Sequence, residues 1–221
     1  MLNPFLNSYR SELSKLRAEN EGIFIPHLSS NNAKLKTEKI ASFGLIAGIT
    51  CPGAAECNSN RYCYAQNGRY VMSQAMSVRV ENFLASKQNH FVDSMIVLIK
   101  SLPKNWLTIR LHDSGDFYSQ EYVDKWEEII SQNKNKFFYA YTKSLNLSLE
   151  KLISLKNALI IQSEGGKYDN KINYELPHTK IFRSEEELLK AGYVNASNSD
   201  LRAIKSIKIG LIVHGLGQKR F

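Results

Sequence analysis

The three cysteines of the sequence, Cys51, Cys57 and Cys63, lie within thirteen residues of one another. Their spacing is C-x5-C-x5-C, in a segment containing proline, glycine and asparagine that can curl around one metal centre. Thiolate sulfur is a soft ligand that favours zinc, copper(I) or iron–sulfur clusters. A structural zinc site uses four protein ligands, so three thiolates leave one position open for a substrate or cofactor. The cysteines therefore predict a metalloenzyme in preference to a zinc-stabilised structural domain.

Three interpretations of this cysteine segment are open from its spacing. Three thiolates can hold three irons of a [4Fe–4S] cluster and leave the fourth iron free. Zinc would need a fourth ligand, and no histidine lies inside the segment, since His27 and His90 are the nearest in sequence. Three small buried cysteines without metal would be unusual in such a clustered, polar setting. We expect metal binding, with an iron–sulfur cluster ahead of zinc.

Polar residues follow a series of apolar runs that are typical of strands, at 106–111, 137–141, 158–162 and 207–213. Helix-length segments separate these runs, which is the pattern of parallel βαβ units. The carboxyl ends of parallel strands form the active site in such folds. We therefore expect the polar residues at the strand ends to share one rim with the cysteines. These residues are His112, Asp113, Ser114, Asp116, Thr142, Lys143, Ser144, Ser163, Glu164 and His214.

Four residues of this rim are candidates for catalysis. His112 and Asp113 are adjacent and would suit a general acid–base pair, although a histidine at a strand end also serves structural hydrogen bonding. Lys143 would either bind a substrate anion or lie in solvent. His214 ends the last predicted strand and is expected to line the pocket.

The elements that must position these residues indicate an α/β fold with parallel strands. The β-leaning run 40–50 leads directly into the cysteine segment, and 181–182 is a further candidate strand. About five or six βα units fit the length, which predicts a partial (β/α) barrel. Arg110, inside the second strand, is expected to hold a carboxylate, to pair with Asp116 or to form another structural ion pair. Helices are predicted at 4–19, 70–84, 91–102, 119–131, 149–155 and 184–191.

Composition places the chain among ordinary globular proteins. With 221 residues, 43% of them hydrophobic, it can bury one sizeable core. We expect residues 1–39 to form a helical and irregular extension and 40–221 to form the α/β domain. The first twenty residues lack a secretory signal and no apolar run approaches a membrane span, so we expect a cytoplasmic protein without membrane contact. The net charge of +8 is spread along the chain and favours a solvated basic surface over a nucleic-acid patch, leaving nucleic acid as an open partner.

The motifs together resemble the gene product 88 family of phages and plasmids. They are the cysteine segment with an aromatic residue before its last cysteine, RLHDSGDF at 110–117, FYAYTKS at 138–144 and IVHG at 212–215. The resemblance covers about residue 40 to the carboxyl terminus. That family in turn resembles a divergent branch of the radical S-adenosylmethionine (SAM) superfamily.

The resemblance to radical SAM enzymes implies a [4Fe–4S] cluster on the three cysteines and SAM on the fourth iron. Reductive cleavage of SAM by the cluster, fed by an electron donor such as flavodoxin or ferredoxin, would give a 5′-deoxyadenosyl radical that acts on an unknown substrate. The implied cofactor contacts are Tyr62 with the adenine or cluster, Ser114, Gly115 and Asp116 with the methionine amino group, Thr142 at the third strand, and Ser163 and Glu164 with the ribose.

Two features depart from the superfamily pattern. The cysteine spacing is longer than C-x3-C-x2-C, and Asp116 stands where the superfamily commonly has glutamate. Two alternative functions are therefore retained. One is a non-catalytic zinc- or cluster-binding module with nucleic-acid affinity, and the other is a cluster-bearing regulator that binds SAM without turnover.

Overall fold

A curled sheet of parallel strands forms the centre of the protein. The structure is a computed structural model that describes residues 22–55, 57 and 63–213. Within those ranges seven strands run in the order β1-β2-β3-β4-β5-β7-β6, and every neighbouring pair is parallel. The open sheet is a half-barrel, which confirms the predicted α/β partial barrel. The strands are β1 (Ile40–Phe43), β2 (Thr108–Leu111), β3 (Phe137–Thr142), β4 (Ala158–Ser163), β5 (His178–Phe182), β6 (Val194–Asn195) and β7 (Lys208–Ile212).

Helices connect most of the strands, as the sequence predicted. Ser119 precedes the central helix α4 and caps it, because its hydroxyl accepts a hydrogen bond from the Tyr122 amide at 3.3 Å. No helix in the described part of the chain is long and apolar enough to cross a membrane. The α-helices are α1 (Ala33–Thr37), α2 (Ser73–Ser86), α3 (Phe91–Ser101), α4 (Gln120–Gln132), α5 (Glu150–Ser154), α6 (Glu185–Lys190) and α7 (Asp200–Ile204). The 3₁₀ helices are Tyr64–Gln66, Gly68–Val71 and Asp169–Lys171.

The boundaries differ from the predictions where elements are short. The run 40–50 forms a strand only as far as Phe43, and the chain then turns toward the cysteines. The short elements α1, α7 and β6 were not predicted, because two to five residues carry no readable periodicity. The helix predicted at 4–19 lies outside the described residues.

Alternate side chains of the strands enter two separate cores, as the two-residue period of a strand requires. On the convex face, Phe43 packs edge-to-face against Trp126 of α4, with ring centroids 5.4 Å apart. On the concave face, Ile40 and Tyr139 pack with Leu35 of α1 and with residues around α7. The described part of the amino-terminal extension therefore contributes to the core, while the boundary drawn at residue 39 stays a prediction.

A buried ion cluster also lies on the concave face. Asp200, at the start of α7, pairs with Arg110 at 2.9 Å and with Lys34 at 2.6 Å, and accepts a hydrogen bond from the Tyr139 hydroxyl. Burial alone would raise the pKa of Asp200, but these partners outweigh it and the pKa is lowered. Arg110 therefore forms a structural ion pair with Asp200, and the alternative pairing with Asp116 is not made.

Candidate functional site

A cavity of about 170 Å³ lies at the carboxyl ends of the parallel strands. All three cysteines line it together with polar residues at or just after the ends of β2, β3 and β4. The cysteines and these polar residues therefore lie on the rim that was predicted from the sequence. The predicted residues that line the cavity are Cys51, Cys57, Cys63, His112, Ser114, Gly115, Asp116, Thr142, Lys143 and Ser163.

The cysteines are partly exposed thiols without disulfides. The Gly48 amide donates a hydrogen bond to Cys51 Sγ at 3.4 Å, and the Cys63 amide donates to the Cys57 carbonyl at 3.3 Å. Burial raises the pKa of Cys51 well above its usual range and that of Cys63 to about 11. Without a metal ion, these two groups are therefore neutral thiols. Among the described residues, no three histidine, cysteine or acidic side chains are grouped closely enough to hold a metal ion.

The start of the cysteine segment is fixed across the ends of β3 and β4. Ala54 forms an antiparallel bridge with Gly166, and the Lys167 amide donates to the Gly53 carbonyl at 2.8 Å. A Cβ atom at Gly53 would collide with the Lys143 carbonyl oxygen, so the close approach requires glycine here. The segment after Cys51 is thereby held over the mouth of the half-barrel.

The turn after β2 packs against the chain that leads to Cys51. The Leu45 amide donates to the Ser114 carbonyl at 2.7 Å, and the Ser114 hydroxyl donates to the Leu45 carbonyl. Gly115 has a φ of +85°, and a Cβ there would lie 2.6 Å from both Leu45 Cβ and Thr50 Oγ1. Only glycine satisfies both requirements, so this turn and the cysteine segment form one packed unit.

His112 and Asp113 are adjacent in sequence but border different cavities. His112 borders the cysteine cavity, but its ring packs against the core residues Phe117 and Tyr122, and its Nε2 atom lies 3.0 Å from the Tyr122 hydroxyl. Its backbone φ of 60° is left-handed, and burial lowers its pKa to about 3, so the ring is neutral. Asp113 instead lines a larger cleft and lies 3.4 Å from Arg79. The two side chains do not form the expected pair.

Asp116 is buried beneath the rim and both of its oxygens accept hydrogen bonds. Oδ1 accepts from the Thr142 hydroxyl at 2.6 Å and the Phe117 amide at 2.7 Å, and Oδ2 accepts from the Lys143 amide at 2.8 Å. Burial outweighs these donors and raises the pKa of Asp116 to about 6. The carboxyl group thus joins the turn after β2 to the end of β3.

Lys143 lines the cavity and does not lie free in solvent, while its binding of a substrate anion stays a prediction. Its ammonium donates to Ser163 Oγ at 3.0 Å and also to the Glu164 carbonyl, so it joins the ends of β3 and β4. Burial lowers the pKa of Lys143. The Glu164 side chain lies outside the cavity lining, where it accepts a hydrogen bond from Tyr193 at 3.0 Å and pairs with Lys180 at 3.3 Å.

Several residues of the cavity were not predicted from the sequence. Tyr64, directly after Cys63, lines the cavity, and its hydroxyl donates to the Asp113 carbonyl at 2.6 Å. Its position beside a cysteine was an available signal. Thr179 also lines the cavity, but it lies in the part of β5 that the prediction left out. Tyr62 and His214 lie outside the described residues.

The fold and this cavity define an α/β protein in which a parallel half-barrel carries a cysteine-lined site at its strand ends. Residues 26–220 match the family model described as Gene product 88, and the chain belongs to that family. The family resemblance expected from the motifs is therefore confirmed.

Two phage proteins are among the relatives. The chain is 27% identical over 143 residues to the Gene 88 protein of Mycobacterium phage L5, covering 59% of each chain. It is 28% identical over 116 residues to the Gene 88 protein of Mycobacterium phage D29, covering 46% of this chain and 47% of that relative. These matches thus span less than two thirds of either relative. No solved structure matches the chain.

Proposed function

We propose that this protein binds a [4Fe–4S] cluster through Cys51, Cys57 and Cys63 and uses it with SAM to start radical chemistry on a substrate still to be identified. The observation that carries the proposal is that the three cysteines line one cavity at the carboxyl ends of a parallel half-barrel. Active sites of parallel α/β folds are built at that edge of the sheet.

The donor chemistry fits such a cluster. Three thiols are the ligand number that leaves one iron of a cubic cluster open, and sulfur is the preferred ligand of iron–sulfur centres. The three sulfur atoms must approach one another on binding, because no close metal-binding group exists among the described residues. Cys51 is held by the packed segment around Gly53 and Leu45, so we expect the chain around Cys57 and Cys63 to adjust.

The bound cluster and SAM would supply the one-electron chemistry, and the protein would supply binding and orientation. Ser114, Thr142 and Ser163 line the cavity from three strand ends. Asp116 and Lys143 hold those strand ends together through buried hydrogen bonds. Their role in this proposal is to keep the rim fixed while SAM binds, with the electron delivered by a flavodoxin or ferredoxin.

One observation favours a second candidate, a zinc site without catalysis. His112 lines the same cavity as the cysteines, and its buried Nδ1 atom has no hydrogen-bond partner among the described residues. Three cysteines and one histidine are a complete ligand set for structural zinc. The net charge of +8 would let such a module bind nucleic acid.

Anaerobic reconstitution with iron and sulfide tests the two candidates against each other. We expect about four irons per chain and visible absorption that dithionite bleaches. Replacing any one cysteine, as in Cys57→Ala, should abolish the iron content, whereas His112→Asn should retain it. Asparagine is a suitable control because it tolerates the left-handed backbone at this position. A colourless protein that binds one zinc ion and loses it on His112→Asn would contradict the cluster proposal.

SAM binding is tested separately on the reconstituted protein. We expect Asp116→Ala to keep its iron but to weaken SAM binding about tenfold, because the variant loses the hydrogen bonds that join the turn after β2 to the end of β3. An unchanged SAM affinity in this variant would show that Asp116 does not position the rim for SAM. Formation of 5′-deoxyadenosine under reducing conditions would identify an enzyme, and binding without this product would identify a regulator.

A further inference from the structure

We propose that a second cleft, beside β1, binds a phosphate-bearing small molecule of about nucleotide size. The cleft has a volume of about 550 Å³, which lies in the usual range for small-molecule sites. It lies between α1, β1 and α2 and is distinct from the cysteine cavity. This inference does not depend on the proposed cluster.

Cationic side chains dominate the charge of the cleft. Lys34, Arg69 and Arg79 line it, against the single carboxylate of Asp113. Lys34 is paired with Asp200, and Arg79 is paired with Asp113. Arg69 is exposed and has no ion-pair partner among the described residues. A guanidinium group in that position is suited to bidentate binding of a phosphate.

A buried hydroxyl gives independent support for a ligand. Ser42 of β1 lines the cleft with only 1% of its surface exposed, and its Oγ atom has no hydrogen-bond partner among the described residues. A buried polar group without a partner is costly and rare in folded proteins. A polar group of a bound molecule would complete the hydrogen bonding of Ser42.

The cleft also offers surface for more than a phosphate. Arg79 lies 4.6 Å from the ring centroid of Tyr70, and its Nη1 and Nε atoms donate to the Ala75 carbonyl and Ser114 hydroxyl at 2.7 and 3.1 Å. Tyr70, in turn, contacts Tyr64 of the cysteine cavity. A rigid cation and an aromatic ring on one wall favour a ligand that carries a planar apolar part besides its phosphate.

Isothermal titration of the metal-free protein with AMP, adenosine and inorganic phosphate tests the proposal. We expect AMP to bind more tightly than either fragment, and Arg69→Gln to weaken AMP binding at least about tenfold. Arg183→Gln, which removes the same charge from another exposed arginine, should leave the affinity unchanged. Cys51→Ser should also leave it unchanged, so this test does not depend on cluster binding.

Ser42→Ala separates a ligand contact from a structural role. Because Ser42 Oγ has no partner to lose, we expect this variant to weaken AMP binding about tenfold without lowering the unfolding temperature. Absence of AMP binding at millimolar concentration would overturn the proposal. So would an affinity that neither Arg69→Gln nor Ser42→Ala changes. Inorganic phosphate binding as tightly as AMP would overturn the inferred ligand size.

Discussion

Asp200 and Asp116 are buried carboxylates of the same half-barrel with different kinds of partner. Asp200, on the concave face, meets the cations of Arg110 and Lys34 and the hydroxyl of Tyr139. Asp116, under the rim, meets only uncharged donors, namely two backbone amides and the hydroxyl of Thr142. The pKa of Asp200 is lowered, whereas burial raises that of Asp116 to about 6.

The comparison shows that full hydrogen bonding does not by itself keep the pKa of a buried carboxyl group at its usual value. Neutral donors satisfy the oxygens of Asp116 geometrically, but burial still disfavours its charge. The two cations beside Asp200 supply the missing electrostatic stabilisation. We therefore infer that Asp200 stabilises the fold, whereas the charge of the Asp116 carboxyl group under the rim depends on its surroundings.

Asp200→Asn should have the largest effect on stability. The substitution leaves Arg110 and Lys34 without a counter-charge inside the protein, so we expect a loss of about 3 to 5 kcal/mol in the free energy of unfolding. Urea unfolding at neutral pH measures it. Asp124→Asn, at an exposed site on α4, is the matched control and should change little. A loss no larger than that of the control would show that the ion cluster contributes little to stability.

The pH dependence of stability should have opposite signs at the two carboxylates. The contribution of Asp200 to the free energy of unfolding is present above the ordinary aspartate pKa of about 4 and is lost as the pH falls below that value. The contribution of Asp116 to stability is present at low pH and is lost, about 3 kcal/mol, as the pH rises from about 4 to about 6.

To isolate these contributions, the free energy of unfolding is measured from pH 3 to 7, in steps of about 1 pH unit, for wild type, Asp200→Asn and Asp116→Asn. The stability advantage of wild type over Asp200→Asn should shrink toward low pH. The advantage over Asp116→Asn should shrink toward higher pH. Parallel curves for all three proteins would contradict the contrast between the two sites.

Thr142→Val should have the smallest of the three effects. Valine keeps the branched shape that suits β3 but removes the hydroxyl that donates to Asp116 and accepts from the Ser144 amide at 3.0 Å. We expect a loss of about 1 to 2 kcal/mol at neutral pH and a further rise in the pKa of Asp116. Carbon-detected NMR titration of the carboxyl group checks the second part. A lowered pKa would contradict the assigned hydrogen bond.

Much of the half-barrel could be predicted from the sequence because its central elements are long and locally encoded. The serine at position 119 and the periodic apolar residues after it define α4, and the polar residues after each apolar run mark the rim. The Asp200–Arg110 pair could not be predicted, because the partners are ninety residues apart and α7 is only five residues long.

The separation of His112 from Asp113 also depends on geometry that the sequence does not display. The left-handed backbone at His112 changes the chain direction, so the His112 ring packs against Phe117 and Tyr122 of the core while Asp113 lines the larger cleft. Likewise, nothing near Lys143 in sequence indicates that its ammonium binds backbone carbonyls of the next strand end. The cysteines were placed correctly on the rim, because a loop that follows a parallel strand must emerge there.

The backbone bridge between Ala54 and Gly166 links the cysteine segment to the Lys167 amide, whose hydrogen exchange can report on the state of that segment. The Lys167 amide is hydrogen-bonded to the Gly53 carbonyl, so its hydrogen exchanges with solvent only when the two loops separate. A ligand that tightens the cysteine segment would slow this exchange, and one that displaces the segment would accelerate it. Deuterium uptake at a single lysine thus monitors the state of a site far away in the sequence, without any probe attached to the cysteines.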